Sequence, residues 1–245
     1  MVAVPAKANA ATAVGSTVAA ERVAADLRKD DHAIVDGLLP STAAAALGDC
    51  LRSMHEAGEL RNAELHTRLD AGELHDVGQR GDLLAWVMAA EQDPPPAVRV
   101  LLDALDELVW AMAEQPPVAD ALFSLRRGDA QCTVYPGGGS RYVRHIDEEA
   151  DGPRKLTCIF YVNPGWSPAA GGELRLHLAE VDDTGKKRYG RRFEKDIAPL
   201  HGRLVLFWAD MRVPHEVLPT HLPRYAVSVW YEDGSRRGAT AGEAS

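Results

Sequence analysis

His145 and Asp147 stand two residues apart in Arg144-His145-Ile146-Asp147, and His215 follows 70 residues later (215 − 145 = 70) in Val213-Pro214-His215-Glu216-Val217. On a strand, residues i and i+2 share a face, so this imidazole and carboxylate would project side by side, about 7 Å apart by the usual rise. Such a pair can grip one cation, although taken alone the tripeptide describes a common surface pair. The second histidine, far enough along the chain for several strands to bring it back, makes a three-donor set. Two imidazoles and one carboxylate on one face of a metal suit iron(II) and leave positions open for a bidentate co-substrate and dioxygen. Arg224, nine residues after His215 (224 − 215 = 9), begins the run RYAVSVWY. Alternation puts Arg224, Ala226, Ser228 and Trp230 on one face of that strand. An arginine on an inward face is costly to bury unless an anion meets it, and its planar guanidinium suits a carboxylate. A dicarboxylate fits both features, with one end chelating iron as a 2-oxo acid and the other pairing with Arg224. The metabolite of that shape is 2-oxoglutarate.

The elements that must position these groups follow from periodicity. Residues 40–58 open on Pro40, Ser41 and Thr42, repeat apolar residues at Leu47, Leu51 and Met54, and end at Gly58, which predicts a helix. A second helix is expected from Asp93-Pro94, with Asp93 as its cap, the stripe Leu101, Leu105, Leu108 and Met112, and Pro116-Pro117 as its stop. The polar segment from Glu59 to Asp82 reads as a long loop or hairpin. After Asp129 the chain changes to short runs rich in Val, Ile, Tyr, Phe and Trp: CTVY, RYVRHID, KLTCIFYV, GELRLHL, RLVLFW and YAVSVWY. Turn residues separate them, which argues for an antiparallel sandwich or barrel. Helices gathered before the strands make the fold α+β rather than Rossmann-like. The glycine run at 137–140 lacks a strand–loop–helix context and reads as a turn rather than a phosphate cradle. His32, His55, His66, His75, His177, His201 and His221 have no carboxylate at ligand spacing and read as surface or structural. Cys158 reads as inert core, and the basic run at 186–192 as a solvated hairpin tip.

Composition bounds the rest. The 245 residues carry 27 basic and 36 acidic side chains, a net charge of −9, and 46% hydrophobic residues. That content excludes disorder throughout the chain. Cys50, Cys132 and Cys158 are too few and too scattered for a disulfide scaffold, and point to a reducing compartment, the cytoplasm or nucleus. The acidic balance argues against nucleic acid as a partner. No run approaches the roughly 20 apolar residues of a membrane span. Residues 1–25 read as a flexible tail, with an organellar targeting peptide as the other reading, and 234–245 as a second tail. One folded unit is expected over 26–233, with helical support to residue 128, and the protein is expected to be a monomer.

The second half resembles the hypoxia-inducible-factor prolyl hydroxylases, a group within the 2-oxoglutarate/Fe(II) dioxygenases. The matching stretches are 134–147 (VYPGGGSRYVRHID), 157–163 (TCIFYVN), 171–176 (GGELRL), and the segments around His215 and 224–231. AIVDGLLP at 33–40, LRSMHEAGEL at 51–60 and RGD at 80–82 match more loosely. The resemblance implies a double-stranded β-helix (jelly-roll) core with supporting N-terminal helices. It implies that His145, Asp147 and His215 hold Fe(II), and that Arg224 and Tyr161 hold the distal carboxylate of 2-oxoglutarate. It places Tyr135 near the chelating end and makes Ile159, Leu174, Val217 and Trp230 pocket walls. The segment 58–82 takes the place of the family's substrate-closing loop. Arg80 and Asp82 read either as an ion pair anchoring that loop or as a plain surface turn. The implied activity is 4-hydroxylation of a prolyl residue in a protein substrate, releasing succinate and CO2, with ascorbate in support and an oxygen-sensing role. Residues 179–196 look longer than their family counterpart, so the resemblance leaves substrate choice open. Two rival readings are a dioxygenase acting on another residue or a small molecule, and a non-catalytic metal-binding jelly-roll module.

Overall fold

The computed structural model describes residues 10–62, 80–90, 93–115, 124–149 and 151–235. Most of the expected substrate loop (63–79), the proline stop at 116–117 and the C-terminal segment from 236 lie outside the described residues.

Among the described residues three α-helices, with three short strands interleaved before the last of them, support the sheets: α1 (Ala10–Asp30), α2 (Ser41–Glu56) and α3 (Pro96–Ala113). The first corrects the expected tail. Alanine is the best helix former, and Ala20, Val23, Ala24 and Leu27 fall at i, i+3, i+4 and i+7 and are buried. Arg28 and Lys29 close α1 at its negative end. The folded unit therefore takes in residues before 26. In α2 the buried stripe is Ala44, Leu47, Gly48 and Leu51. The third helix starts later than expected, with Pro95 rather than Asp93 at the cap position, because the consecutive prolines 94–96 hold the chain extended until the third can enter the first turn.

The strands form two antiparallel sheets. The larger contains β1 (His32–Asp36), β2 (Arg61–Asn62), β3 (Leu83–Val87), β4 (Leu125–Tyr135), β6 (Arg154–Tyr161), β9 (Arg203–Trp208) and β11 (Arg224–Asp233). Its order is β1-β9-β6-β11-β4-β3-β2. The smaller contains β5 (Ser140–His145), β7 (Leu174–Val181), β8 (Lys187–Ile197) and β10 (His215–Thr220), in the order β5-β10-β7-β8. The fold is α+β with a double-stranded β-helix core, α1 lying against α3 and β1, and α2 against α3 and β4.

Strand β8 replaces the expected hairpin tip. Its residues KRYGRRFEKDI look too charged for a strand, but β8 is the sheet edge and pairs only with β7, where charged side chains reach water. The β7–β8 hairpin is also fastened to the end of α1. Lys187 Nζ donates to Asp31, Tyr189 donates to the same carboxylate at 3.3 Å, and Lys195 Nζ lies 2.8 Å from His32 Nε2.

A buried polar cluster ties α3 to the larger sheet. Tyr231 donates its hydroxyl to Asp106 Oδ1 at 2.7 Å, and Arg127 Nε donates to both oxygens at 3.2 Å. Replacing Asp106 with alanine leaves two donors without their acceptor and is expected to destabilise the protein by about 1–3 kcal/mol. Urea unfolding of D106A against the wild type checks this, with specific activity of the folded fraction unchanged.

Candidate active site

The site lies between the two sheets, and the register of the smaller one sets its geometry. His215 on β10 is the cross-strand partner of His145 on β5, so the two imidazoles arise from directly opposed positions, 4.3 Å apart between ring centroids. A slip of one residue would send one of them to the other face. His145 Nδ1 donates to Val143 O at 2.8 Å, and His215 Nδ1 donates to Val213 O at 3.1 Å. Each ring thus spends its Nδ1 proton on the carbonyl two residues back, which leaves the Nε2 lone pair free as a ligand.

Asp147 departs from the expected strand geometry. Strand β5 ends at His145, and Asp147 sits in the following bend, its amide donating to Ala209 O at 3.0 Å. The bend closes the roughly 7 Å gap expected on a flat strand. Asp147 Oδ1 is 3.8 Å from His145 Nε2, and Oδ2 is 3.7 Å from His215 Nε2. One donor atom from each residue lies within 4.8 Å of the other two. Burial alone would raise the Asp147 carboxyl, but the two imidazoles and the Thr157 hydroxyl outweigh it and hold it below its ordinary value. Burial, reinforced by His215, depresses His145 to about 4, so its ring is neutral near pH 7. An ionised carboxylate beside a neutral His145 ring is a protonation state suited to a divalent cation.

These donors open onto a cavity of about 580 Å³ that Arg224, Ala226, Ser228 and Trp230 also line, the face that alternation assigned. Arg224 is buried, at 3% exposure, and is the one buried lysine or arginine among the described residues. Its Nε donates to Gly172 O at 2.7 Å. Gly172 is required here, since it holds φ at +77° and a Cβ would come within 2.9 Å of Arg224 Cδ. Tyr135 on β4 pairs with Arg224, and Tyr161 on β6 pairs with Ala226, so the guanidinium lies between the two phenol rings, 5.2 and 4.8 Å from their centroids. Arg224 Nη2 and the Tyr161 hydroxyl are both buried without a hydrogen-bond partner. Burial raises both tyrosines, so both are protonated donors. Two unsatisfied buried donors, one of them cationic, make a socket for a carboxylate. Tyr135, Ile159, Leu174 and Val217 line the same cavity as Arg224 and the three-donor cluster.

Arg80 and Asp82 form an ion pair rather than a plain surface turn, with Asp82 buried and Arg80 half-buried. Arg80 Nε and Nη2 donate to Asp82 at 2.6 and 2.9 Å, and Nη2 also donates to Gln131 Oε1 at 2.9 Å. The Arg80 guanidinium lies 4.7 Å over the Tyr142 ring, which stacks on His145 with centroids 3.7 Å apart. Sequence reasoning did not single out Tyr142, Trp86 or Arg154. Trp86 on β3 lies 5.7 Å from Trp230, whose other neighbour is the Arg154 guanidinium at 4.3 Å. The alternation in Leu84-Ala85-Trp86 beside a charged RGD was the signal that could have found Trp86. Of the remaining histidines, His32 and His177 are buried with partners, and His55 meets the Tyr225 hydroxyl at 3.0 Å. His66 and His75 lie outside the described residues. Cys158 is buried core with its thiol pushed up by burial.

Comparison with known proteins agrees with this geometry. Residues 130–232 match the 2OG-Fe(II) oxygenase superfamily. Mouse "Prolyl hydroxylase EGLN3" is 33% identical over 199 residues, covering 78% of this chain and 75% of the relative. A solved prolyl hydroxylase from Trichoplax adhaerens, in complex with a hypoxia-inducible-factor degradation-domain peptide, superposes with a TM-score of 0.79 at 26% identity, covering 96% of this chain and 99% of its own. The Pseudomonas putida prolyl-4-hydroxylase superposes with a TM-score of 0.69 at 30% identity, covering 89% of this chain and all of its own (100%). The chain belongs to the 2-oxoglutarate/Fe(II) oxygenases, within their group of prolyl hydroxylases related to the hypoxia-inducible-factor enzymes.

Proposed function

We propose that the protein 4-hydroxylates a prolyl residue in a protein or peptide substrate, using Fe(II), dioxygen and 2-oxoglutarate and releasing succinate and CO2. The observation that carries this reading is the pairing, in one cavity, of a three-donor cluster with the unsatisfied buried guanidinium of Arg224, against which the Tyr161 ring lies. In this reading His145, Asp147 and His215 hold the metal, and Arg224 with Tyr161 holds the far carboxylate of the co-substrate. When bound, the iron supplies the dioxygen chemistry. The chain supplies orientation and a dry wall: Ile159, Leu174 and Val217 are each buried and line the cavity. Tyr135 faces the nearer end. Trp86, Trp230 and Arg154 form an aromatic and cationic wall suited to a prolyl ring and its flanking backbone. The peptide bound to the Trichoplax adhaerens enzyme supports a peptide substrate here. The Arg80–Asp82 ion pair stands immediately before β3, and Arg80 lines the same cavity.

Succinate release under Fe(II), 2-oxoglutarate and air, together with one added oxygen atom on a proline-containing peptide by mass spectrometry, tests the proposal. Succinate formation without any hydroxyproline product across proline-containing candidates would transfer the assignment to another residue or a small molecule. Tyr161→Phe removes one neutral donor to the carboxylate. It is expected to raise the 2-oxoglutarate requirement about three- to tenfold with little change in maximal rate, which initial-rate measurements at varied co-substrate would show.

A further inference from the structure

We propose that Thr157 is a positioning residue that fixes the metal-binding carboxylate. Thr157 sits on β6, paired with Trp230 of β11 and Phe207 of β9, and is 1% exposed. Its hydroxyl donates to Asp147 Oδ2 at 2.6 Å, a short, charge-assisted bond. The three donors of the cluster are held in different ways. Each imidazole is locked by a bond from its own Nδ1 to a carbonyl of its own segment, at 2.8 and 3.1 Å. Asp147 lies outside any strand, and its backbone amide fixes only the bend. Its side-chain torsion is set from across the sandwich, by a residue of the larger sheet. The Trp230 indole N–H, the other donor near the carboxylate, makes no direct hydrogen bond. Thr157 is therefore the group that aims Asp147.

The consequence concerns how the carboxylate binds. With Oδ2 engaged by the hydroxyl, Oδ1 lies on the His145 side, 3.8 Å from its Nε2. Asp147 would thereby present an already oriented carboxylate to a cation held together with His145 and His215. A valine here would keep the shape of the strand and remove only the donor, so a hydroxyl at a fully buried strand position is accounted for by its carboxylate partner rather than by packing. Parity along Thr157, Ile159 and Tyr161 puts this residue on the same face as the co-substrate wall.

The inference rests on the metal reading given above, and the experiment separates the two. Mn(II) alone, which needs no co-substrate or turnover, is titrated calorimetrically into the wild-type protein, Thr157→Val, Thr157→Ser and Thr157→Ala, with metal-free melting curves recorded for each. Loss of a hydrogen bond to a metal ligand is expected to weaken Mn(II) binding about 10- to 100-fold in the valine and alanine variants. The serine variant, which keeps the donor, is expected to stay within about threefold of the wild type. A valine or alanine variant that melts cooperatively and binds Mn(II) within about threefold of the wild type overturns the positioning role. Equal losses in the serine and valine variants assign the residue to packing and overturn it as well. Failure of the wild type to bind Mn(II) at all would instead remove the metal reading. Should valine not fold, the alanine and serine pair carries the same comparison.

Discussion

Arg224→Ala is expected to raise the 2-oxoglutarate concentration for half-maximal turnover by about 10²-fold to several thousandfold. The scale is that of leaving one partner of a buried charge pair alone, ~3–5 kcal/mol. The size of the effect depends on the environment of Arg224 more than on its residue type. Arg224 has given its Nε to Gly172, its faces lie against two tyrosine rings, and Nη2 has nothing to bind. A carboxylate brought into that socket without the guanidinium loses water and gains only the Tyr161 hydroxyl. Arg224→Lys is expected to recover part of the loss, because an ammonium supplies the charge but not the fork that serves Gly172 and a carboxylate together. The same reasoning predicts an opposite effect on the empty protein. An unpaired buried cation is a cost to folding, so Arg224→Met is expected to leave the thermal midpoint without co-substrate unchanged or raised. Co-substrate dependence identical to the wild type in R224A would remove the dicarboxylate from the proposal.

His215→Ala is expected to abolish turnover and to weaken Mn(II) binding by more than about 10²-fold, beyond the effect of losing an outer partner of a ligand. The histidine's place cannot be taken by a neighbour. No other group of three or more His, Cys, Asp or Glu donors converges among the described residues. The ring that faces the vacated position is Phe207, whose centroid is 4.6 Å from that of His215 and which offers no ligand. His145→Ala and Asp147→Ala are expected to match it. Calorimetric Mn(II) titration alongside succinate assays checks all three, and full activity in any of them would refute the ligand assignment.

The sequence made some of this arrangement readable and hid the rest for physical reasons. The inward face of β11 could be read because alternation is a local property, and Arg224, Ala226, Ser228 and Trp230 do share it. The approach of His145 to His215 could be suspected but not measured, because it depends on the register of two strands 70 residues apart (215 − 145 = 70). The position of Asp147 could not be read, since the bend after β5 is stabilised by a carbonyl at residue 209 that no local pattern announces. Composition misled at both ends of the fold. The alanine-rich stretch before residue 26 looked too featureless for a core element, yet alanine at helical spacing packs closely against α3. The charges of β8 looked like a solvated tip, although an edge strand needs only one partner. The inward placement of the Arg80–Asp82 pair also escaped, because it depends on Gln131 and Tyr142 arriving from other strands.

The two sheets do not contribute the same things to the site. The smaller one brings both imidazoles, the larger one brings Arg224, Tyr135 and Tyr161, and Asp147 is held by a hydroxyl of the larger sheet while following a strand of the smaller. Ligands seated there act as rivets through the sandwich. A chain in which the layers have parted retains neither binding site, so occupancy favours the closed form by mass action, about 2.7 kcal/mol at a hundredfold excess over the dissociation constant. Iron and the keto acid are therefore expected to slow proteolysis of the folded protein when either is in excess, which limited digestion with and without them checks.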